Sequence, residues 1–237
     1  MKKNTYAIIF ARGGSKGLHR KNLKKIGNLS FLEHSIFHAQ STPLIRKVFV
    51  STEDKEISDV ALAFGAVVIE RPIDLATDKS PEWLSWKHAV NYIEANFGIF
   101  DGLISLPATS PLRNKSDVEK CINEFYKSTA TACISISESA RNPFFNMVKV
   151  GNDGFVDVVM GNKNDITRRQ DAPKVFDITT VCYMASPKFI KESDTILMGN
   201  TTFIEVPRHR ALDIDDDLDF EIATLLYNKQ ESQIVKK

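Results

Sequence analysis

Short apolar runs alternate with longer amphipathic stretches over the first two-thirds of the chain. Tyr6-Ala7-Ile8-Ile9-Phe10 has no polar interruption, the pattern of a strand buried on both faces. Lys47-Val48-Phe49-Val50-Ser51, Ala66-Val67-Val68-Ile69, Gly102-Leu103-Ile104-Ser105-Leu106 and Cys133-Ile134-Ser135-Ile136 repeat that signal. The intervening stretches carry helix-start signals. Ser30 with Glu33, and Ser116 with Glu119, predict capping boxes. Ser80-Pro81 predicts an N-cap followed by proline at the first helical position. Gly65 predicts the end of a helix bearing Ile57, Val60, Ala61 and Phe64. Strand and helix in alternation predict an α/β fold, a doubly wound and mostly parallel sheet with helices on both faces. Such sheets bind ligands at the carboxyl ends of their strands. Chemistry is therefore expected after Phe10, Ser51 and Leu106.

The alternation breaks near residue 140. Turn signals at Asn152-Asp153-Gly154 and Gly161-Asn162 separate short strand-like pieces. Residues from about 140 to 181 read as a small antiparallel excursion, a subdomain or dimerisation arm inserted in a single domain of residues 1–237. A last strand-like stretch is expected to end at Asp213-Ile214-Asp215. A terminal helix follows through Phe220, Ile222, Ala223, Leu225 and Leu226, with a fraying Gln-Glu-Ser-Gln tail.

Composition narrows the function classes. The 237 residues are 43% hydrophobic and 26% charged, with a net charge near +1. That balance argues against nucleic acid or an anionic membrane as the bulk partner, so anion recognition must be local. No stretch approaches the roughly 18 apolar residues that span a bilayer. The N-terminal apolar run stops at Arg12, too short for a signal peptide, and a cytoplasmic location is expected. Cys121, Cys133 and Cys182 lack metal or redox spacing and are expected as buried free thiols. Among the histidines, His34 and His38 lie four apart on one helix without a third ligand. No Ser/His/Asp or Cys/His nucleophile set is legible.

Ala11-Arg12-Gly13-Gly14-Ser15-Lys16-Gly17 follows the first strand directly. Glycines let backbone N–H groups approach a ligand. Arg12, Lys16 and Lys21 add positive charge and Ser15 a hydroxyl, so the loop reads as a polyphosphate cradle. It matches neither G-x-x-x-x-G-K-[ST] nor G-x-G-x-x-G, which disfavours a P-loop kinase and a dinucleotide dehydrogenase. A solvated basic turn is the bland alternative. Near the C-terminus, Asp213 and Asp215 sit at i and i+2, so an extended backbone turns both carboxylates to one side. Such a pair suits Mg²⁺ with phosphate oxygens and water. The competing reading is an acidic helix N-terminus, the role expected of Asp217 and Asp219.

The loop followed by Lys21-Asn22 resembles the signature of the CMP-sialic acid synthetases (acylneuraminate cytidylyltransferases). Further segments, in order, are similar to that family: Ser51-Thr52-Glu53-Asp54, where the family has Asp in place of Glu53; Arg71-Pro72 with Leu75-Ala76-Thr77-Asp78-Lys79-Ser80; Ala108-Thr109-Ser110-Pro111-Leu112-Arg113; Arg168-Arg169-Gln170-Asp171-Ala172-Pro173; and Asp213-Ile214-Asp215. Together they span about residues 5 to 225. The resemblance implies that Arg12, Gly13, Gly14, Ser15, Lys16, Lys21 and Asn22 hold the triphosphate of CTP, and that Arg71 and Ser80 meet base and ribose. It implies Thr109, Ser110, Arg168 or Arg169, and Phe176 at the sugar, and Asp213 and Asp215 on Mg²⁺. Pro107 stands where the family has a sugar-facing glutamine. Arg141-Asn142-Pro143-Phe144-Phe145-Asn146 and Arg168-Arg169-Gln170-Asp171-Ala172-Pro173-Lys174 resemble the bacterial members acting on legionaminic acid.

The implied reaction is attack by a sugar acid's anomeric hydroxyl on the α-phosphorus of CTP, releasing pyrophosphate. Arg12, Lys21, Asp213 and Asp215 are the catalytic set implied, in a homodimer whose excursion completes the partner's sugar site. An enzyme for the eight-carbon 3-deoxy-octulosonate acid shares this chemistry, and a catalytically silent nucleotide-binding homologue is the alternative of another class.

Overall fold

The computed structural model describes residues 3–14, 17–160, 166 and 168–234. Strand β1 (Thr5–Phe10) is an inner strand of a seven-stranded sheet, and the short strands β2 (Lys25–Ile26) and β3 (Leu29–Ser30) form a separate antiparallel pair. On one side it pairs in parallel with β4 (Ile45–Thr52), which pairs in parallel with β5 (Val67–Glu70). On the other it pairs in parallel with β6 (Gly102–Ser105). Beyond β6 lie β10 (Phe176–Ala185), β7 (Ala132–Glu138) and β11 (Thr201–Glu205). Strand β10 runs antiparallel to both its neighbours, while β11 and β7 are parallel. The sheet is therefore mixed α/β and mostly parallel.

Burial follows the period-two alternation of strands. Ala7 and Ile9 of β1 join one core cluster; Tyr6 and Ile8 join the other. The first cluster includes residues of α1 (Phe31–Ser41), α2 (Lys55–Ala63), α4 (Lys115–Lys127) and α6 (Asp217–Ile234). The second includes residues of α3 (Glu82–Phe97) and α5 (Pro187–Glu192). Ile8 and Ile9 are fully buried on opposite faces, each contributing about 2 kcal/mol. The strand that launches the Gly-rich loop is thus fixed from both sides.

The Ser30/Glu33 capping box is present at α1, and Gly65 takes φ +77° just beyond α2. Elsewhere local signals misplaced the caps. Helix α4 is capped by Asn114 with Asp117, not Ser116 with Glu119. Two overlapping patterns compete there, and buried Asp117 also receives both Arg210 nitrogens at 2.8 and 2.9 Å. Helix α3 begins at Glu82 with extended Pro81 before it, and Ser80 does not cap it.

The segment between β7 and β10 contains a hairpin of β8 (Val148–Val150) and β9 (Val156–Val158), paired antiparallel. Residues 176–181, read from sequence as part of the excursion, belong to β10 in the main sheet. Asp213-Ile214-Asp215 does not end a strand: β11 stops at Glu205, and residues 211–215 run without regular structure into α6. Asp217 and Asp219 lie in the first turn of that helix, as expected, and Asp216 and Asp219 also exchange capping bonds. Asp219 Oδ2 accepts from Asp215 N and Asp216 N, and Asp216 Oδ1 from Asp219 N. Helix α6 continues to Ile234, through the tail expected to fray. The three cysteines are free and buried.

Candidate active site

The carboxyl ends of β1, β4 and β6 lie side by side, and the loops after β1 and β6 contribute to the walls of a cleft. Phe10, Arg12, Gly17, Lys21, Asn22, Glu82, Thr109 and Asp215 line its volume of about 490 Å³. Arg12, Lys21, Asn22, Thr109 and Asp215, singled out in sequence, converge there. A larger cavity of about 730 Å³, bounded by His34, Phe37, Arg113, Arg210 and Tyr227, contains none of the candidate residues.

Arg12, Gly13 and Lys21 each meet a partner distant in sequence. Arg12 Nη1 is 2.7 Å from Asp78 Oδ1. Asn22 is buried and donates from Nδ2 to Arg12 O at 2.9 Å, tying the far end of the loop to its start. Lys21 Nζ lies 2.9 Å from Asp215 Oδ1. Gly13 N donates to Glu53 Oε1 at 2.7 Å. Gly14 faces open space, with nothing within 4 Å of where a Cβ would stand. Ser15 and Lys16 lie outside the described residues.

Arg71 is buried and donates from Nε to Ser51 Oγ at 3.1 Å and from Nη2 to Ser51 O at 2.7 Å. Its guanidinium also sits 5.6 Å from the centroid of Phe10. Burial lowers its pKa, Glu53 and Glu82 oppose that shift, and Arg12 adds to it. Ser80 Oγ is buried without a partner among the described residues, an open valence for a ligand hydroxyl.

Asp213 and Asp215 differ in surroundings. The Asp215 side chain is largely exposed and faces Lys21. Asp213 Oδ1 is buried without a hydrogen-bond partner among the described residues. Burial raises the Asp213 pKa, as does the neighbouring charge of Asp215, while Thr109, Thr180 and Lys21 pull it down. Asp213 borders a second cavity of about 230 Å³ with Asp177, Thr180 and Arg208. The aspartate pair thus lies between two cavities.

The remaining sequence candidates sit elsewhere. Ser110 is fully buried, with Oγ 2.7 Å from Thr180 Oγ1 and donating to Leu212 O at 3.3 Å. Arg113, last in the Ala108–Arg113 segment, makes internal hydrogen bonds. It is fully buried, donating to Val181 O at 2.8 Å, to Ser35 Oγ at 2.7 Å and to Pro107 O, and burial lowers its pKa to about 10. Arg168 pairs with Asp171 at 2.7 and 3.0 Å. Arg169 lines a separate cavity with Glu138 and Asn142. Phe176 stacks on Phe203 at 6.5 Å between centroids. None of these three lines the Arg12–Lys21 cleft. Glu82 and Arg208 enter the neighbourhood unannounced, while Glu53 and Asp78 had appeared only within resembled segments, without a role.

A strand-to-helix Gly-rich loop, two cations and an aspartate pair at the carboxyl edge of a parallel sheet define a nucleotidyltransferase. The chain belongs to the cytidylyltransferase family, whose profile matches residues 6–149. It is 33% identical over 227 residues to a post-translational flagellin modification protein B of Campylobacter coli, covering 95% of each chain. It is 34% identical to a CMP-N,N'-diacetyllegionaminic acid synthase of Campylobacter jejuni, covering 92% of each. Among solved structures, a CMP:2-keto-3-deoxy-manno-octonic acid synthetase complexed with CTP shares the fold. Its TM-score is 0.72 at 16% identity, over 96% of this chain and 99% of that one. Among the described residues no helix is long and apolar enough to cross a membrane.

Proposed function

We propose that this cytidylyltransferase joins CMP from CTP to a nine-carbon, sialic-acid-like sugar acid of the legionaminate type and releases pyrophosphate. The observation that carries the reading is the convergence of Arg12, Lys21 and Asn22 with Asp215 around one cleft. The identity to the legionaminic acid synthase supports the choice of acid.

Arg12 and Lys21 hold and neutralise the triphosphate, with Ser15 and Lys16 as further phosphate ligands by their place in the loop. Lys21 also keeps Asp215 oriented before substrate arrives. Arg71 and Ser80 take the cytidine. Thr109 and Asp213 face the reacting phosphate from the other side, and Arg208 beside Asp213 offers a cation to the acid's carboxylate. Placing the anomeric hydroxyl in line with the leaving pyrophosphate supplies most of the rate enhancement.

Mg²⁺ fits between Asp213 and Asp215. The orphaned, buried Asp213 Oδ1 and the neighbouring like charge are both relieved by a divalent cation. When bound, the ion neutralises phosphate charge and acidifies the attacking hydroxyl. Asp213 and Asp215 would supply the protein's share of the ligands, with phosphate oxygens and water supplying the rest.

The protein acts in the cytoplasm as a homodimer. Val150, Phe155 and Val156 of the hairpin and Phe176, Ile178 and Phe203 on the sheet expose apolar side chains, surface that a second copy would cover. Arg168, Arg169 and Phe176 then serve the partner's sugar. Pyrophosphate release is the test, with CTP, Mg²⁺ and a panel of N-acetylneuraminate, legionaminate, its isomers and 3-deoxy-octulosonate. Turnover with one nine-carbon acid, and with CTP over ATP, GTP and UTP, supports the reading. Turnover confined to the eight-carbon acid, or none in a protein that binds CTP, refutes it. Light scattering at the mass of one chain would remove the dimer.

A further inference from the structure

The turn between β4 and α2 holds two adjacent carboxylates, Glu53 and Asp54, and both reach the Gly-rich loop. Glu53 Oε1 accepts the Gly13 amide at 2.7 Å. Asp54 accepts Arg20 Nη1 at 2.6 Å and Nη2 at 3.3 Å, while its Oδ1 also caps α2 through Ile57 N at 3.0 Å. Arg20 adopts φ +52°, a left-handed conformation that a non-glycine residue keeps only where surrounding contacts hold it. Loop and turn also approach closely: a Cβ on Gly13 would stand 2.4 Å from Asp54 Oδ2. The loop is therefore clamped near both ends by one acidic turn.

Glu53 has a second neighbour of consequence. Its charge opposes the burial that lowers the Arg71 pKa, and Arg12 adds a repelling cation to the same neighbourhood. Two cations near one another in a half-dry site repel unless an anion lies close. Glu53 Oε2 is buried without a hydrogen-bond partner among the described residues, so the carboxylate is held for a purpose other than its own solvation.

We propose that Glu53 is a positioning residue that couples the two halves of the nucleotide site. One oxygen fixes the Gly13 amide at the entry to the phosphate loop, and the chain just before Glu53 holds Arg71 through Ser51 Oγ, Ser51 O and Thr52 O. This rests on the CTP-binding reading above for its consequence, while the clamp itself is a property of the nucleotide-free chain. The carboxylate is not displaced by nucleotide; it shapes the loop that receives it.

Glu53→Ala and Glu53→Gln in the full chain test this. Glutamine keeps an acceptor for Gly13 and removes the charge; alanine removes both. Exchange of the Gly13 amide, followed by NMR without nucleotide, is expected to quicken about tenfold in Glu53→Ala and to stay near wild type in Glu53→Gln. In Glu53→Ala the KM for CTP should rise about tenfold or more, while kcat and the KM for the sugar acid change less than about threefold. Glu53→Gln should fall between, its residual loss reporting the charge beside Arg71. Unchanged Gly13 exchange in Glu53→Ala overturns the clamp. Tighter CTP binding in that variant overturns the positioning role in favour of a competing anion. Equal losses in all kinetic constants with a lowered Tm mean a merely structural residue. A wild-type chain that binds no CTP refutes the proposed function, and the amide exchange still decides the clamp.

Discussion

Lys21 Nζ and Asp215 Oδ1 lie 2.9 Å apart across 194 residues of sequence. The lysine side chain is 16% exposed and the aspartate 71%. With its aspartate open to water, the pair contributes only about 0–1 kcal/mol to stability. In the proposed reaction the ammonium would pass from this carboxylate to the incoming phosphate.

Lys21→Ala should therefore separate function from folding. Calorimetry is expected to show a Tm within about 3 °C of wild type. Pyrophosphate release should lose about 100-fold or more in kcat/KM, the usual cost of removing one charge-stabilising group. A large fall in Tm with turnover preserved would make Lys21 a structural residue.

Asp213 is held at a cost in stability. Its pKa is raised by burial first and by Asp215 second, so the folded chain binds its proton more tightly than the unfolded chain does. Stability is then lost as pH climbs from the ordinary carboxylate range through the raised folded pKa. Asp213→Asn should melt higher than wild type at pH 7, with the difference closing as pH falls below about 4. The same variant should lose turnover and any stabilisation by added Mg²⁺. A variant less stable at pH 7, or one still stabilised by Mg²⁺, contradicts this account.

Much of the fold was legible because buried parallel strands write themselves as unbroken apolar runs, as in Tyr6–Phe10 and Cys133–Ile136. The Ser30/Glu33 box was legible because its partners are three residues apart. What escaped depends on distant partners. Asn114 prevailed over Ser116 where Asp117 could both cap the helix and meet Arg210. Strand β10 inserts antiparallel between β6 and β7, a placement that no local pattern encodes. In the site, Arg12, Lys21, Thr109 and Asp215 were found from loop chemistry. Ser110 looked equally ligand-facing, yet its hydroxyl is bonded inward beside Thr180. Glu53 was noticed only as a departure from a resembled pattern, since its acceptor role depends on Gly13, forty residues earlier in the chain.

Gly17 and Gly14 make a paired prediction. A Cβ on Gly17 would stand 2.2 Å from the carbonyl oxygen of Asp215, a backbone atom that cannot swing away, whereas Gly14 is open. Gly17→Ala must push the loop off the Asp213–Asp215 segment, at about 1–3 kcal/mol. A Tm lowered by several degrees and turnover reduced at least about tenfold are expected, against an unchanged Tm for Gly14→Ala. Thermal melts of both variants suffice, and equal melting would show that the loop yields freely.

His38 should govern part of the acid sensitivity. Burial is the main cause that lowers its pKa from 6.5 to about 3, with the charges of Arg113 and then His34 adding to the effect and Asp117 opposing it. His38 is half-buried beside a cavity that Arg113, itself buried, also borders. Because the folded pKa is the lower one, the unfolded chain takes up the proton first. Stability present above pH 6.5 is then lost progressively as pH falls toward about 3. A neutral replacement has no proton to take up. His38→Gln is thus expected to show a shallower fall of Tm between pH 6.5 and 4, even if it starts lower at pH 7 from imperfect packing. Parallel slopes for the two proteins across that window would assign the acid limb to other groups.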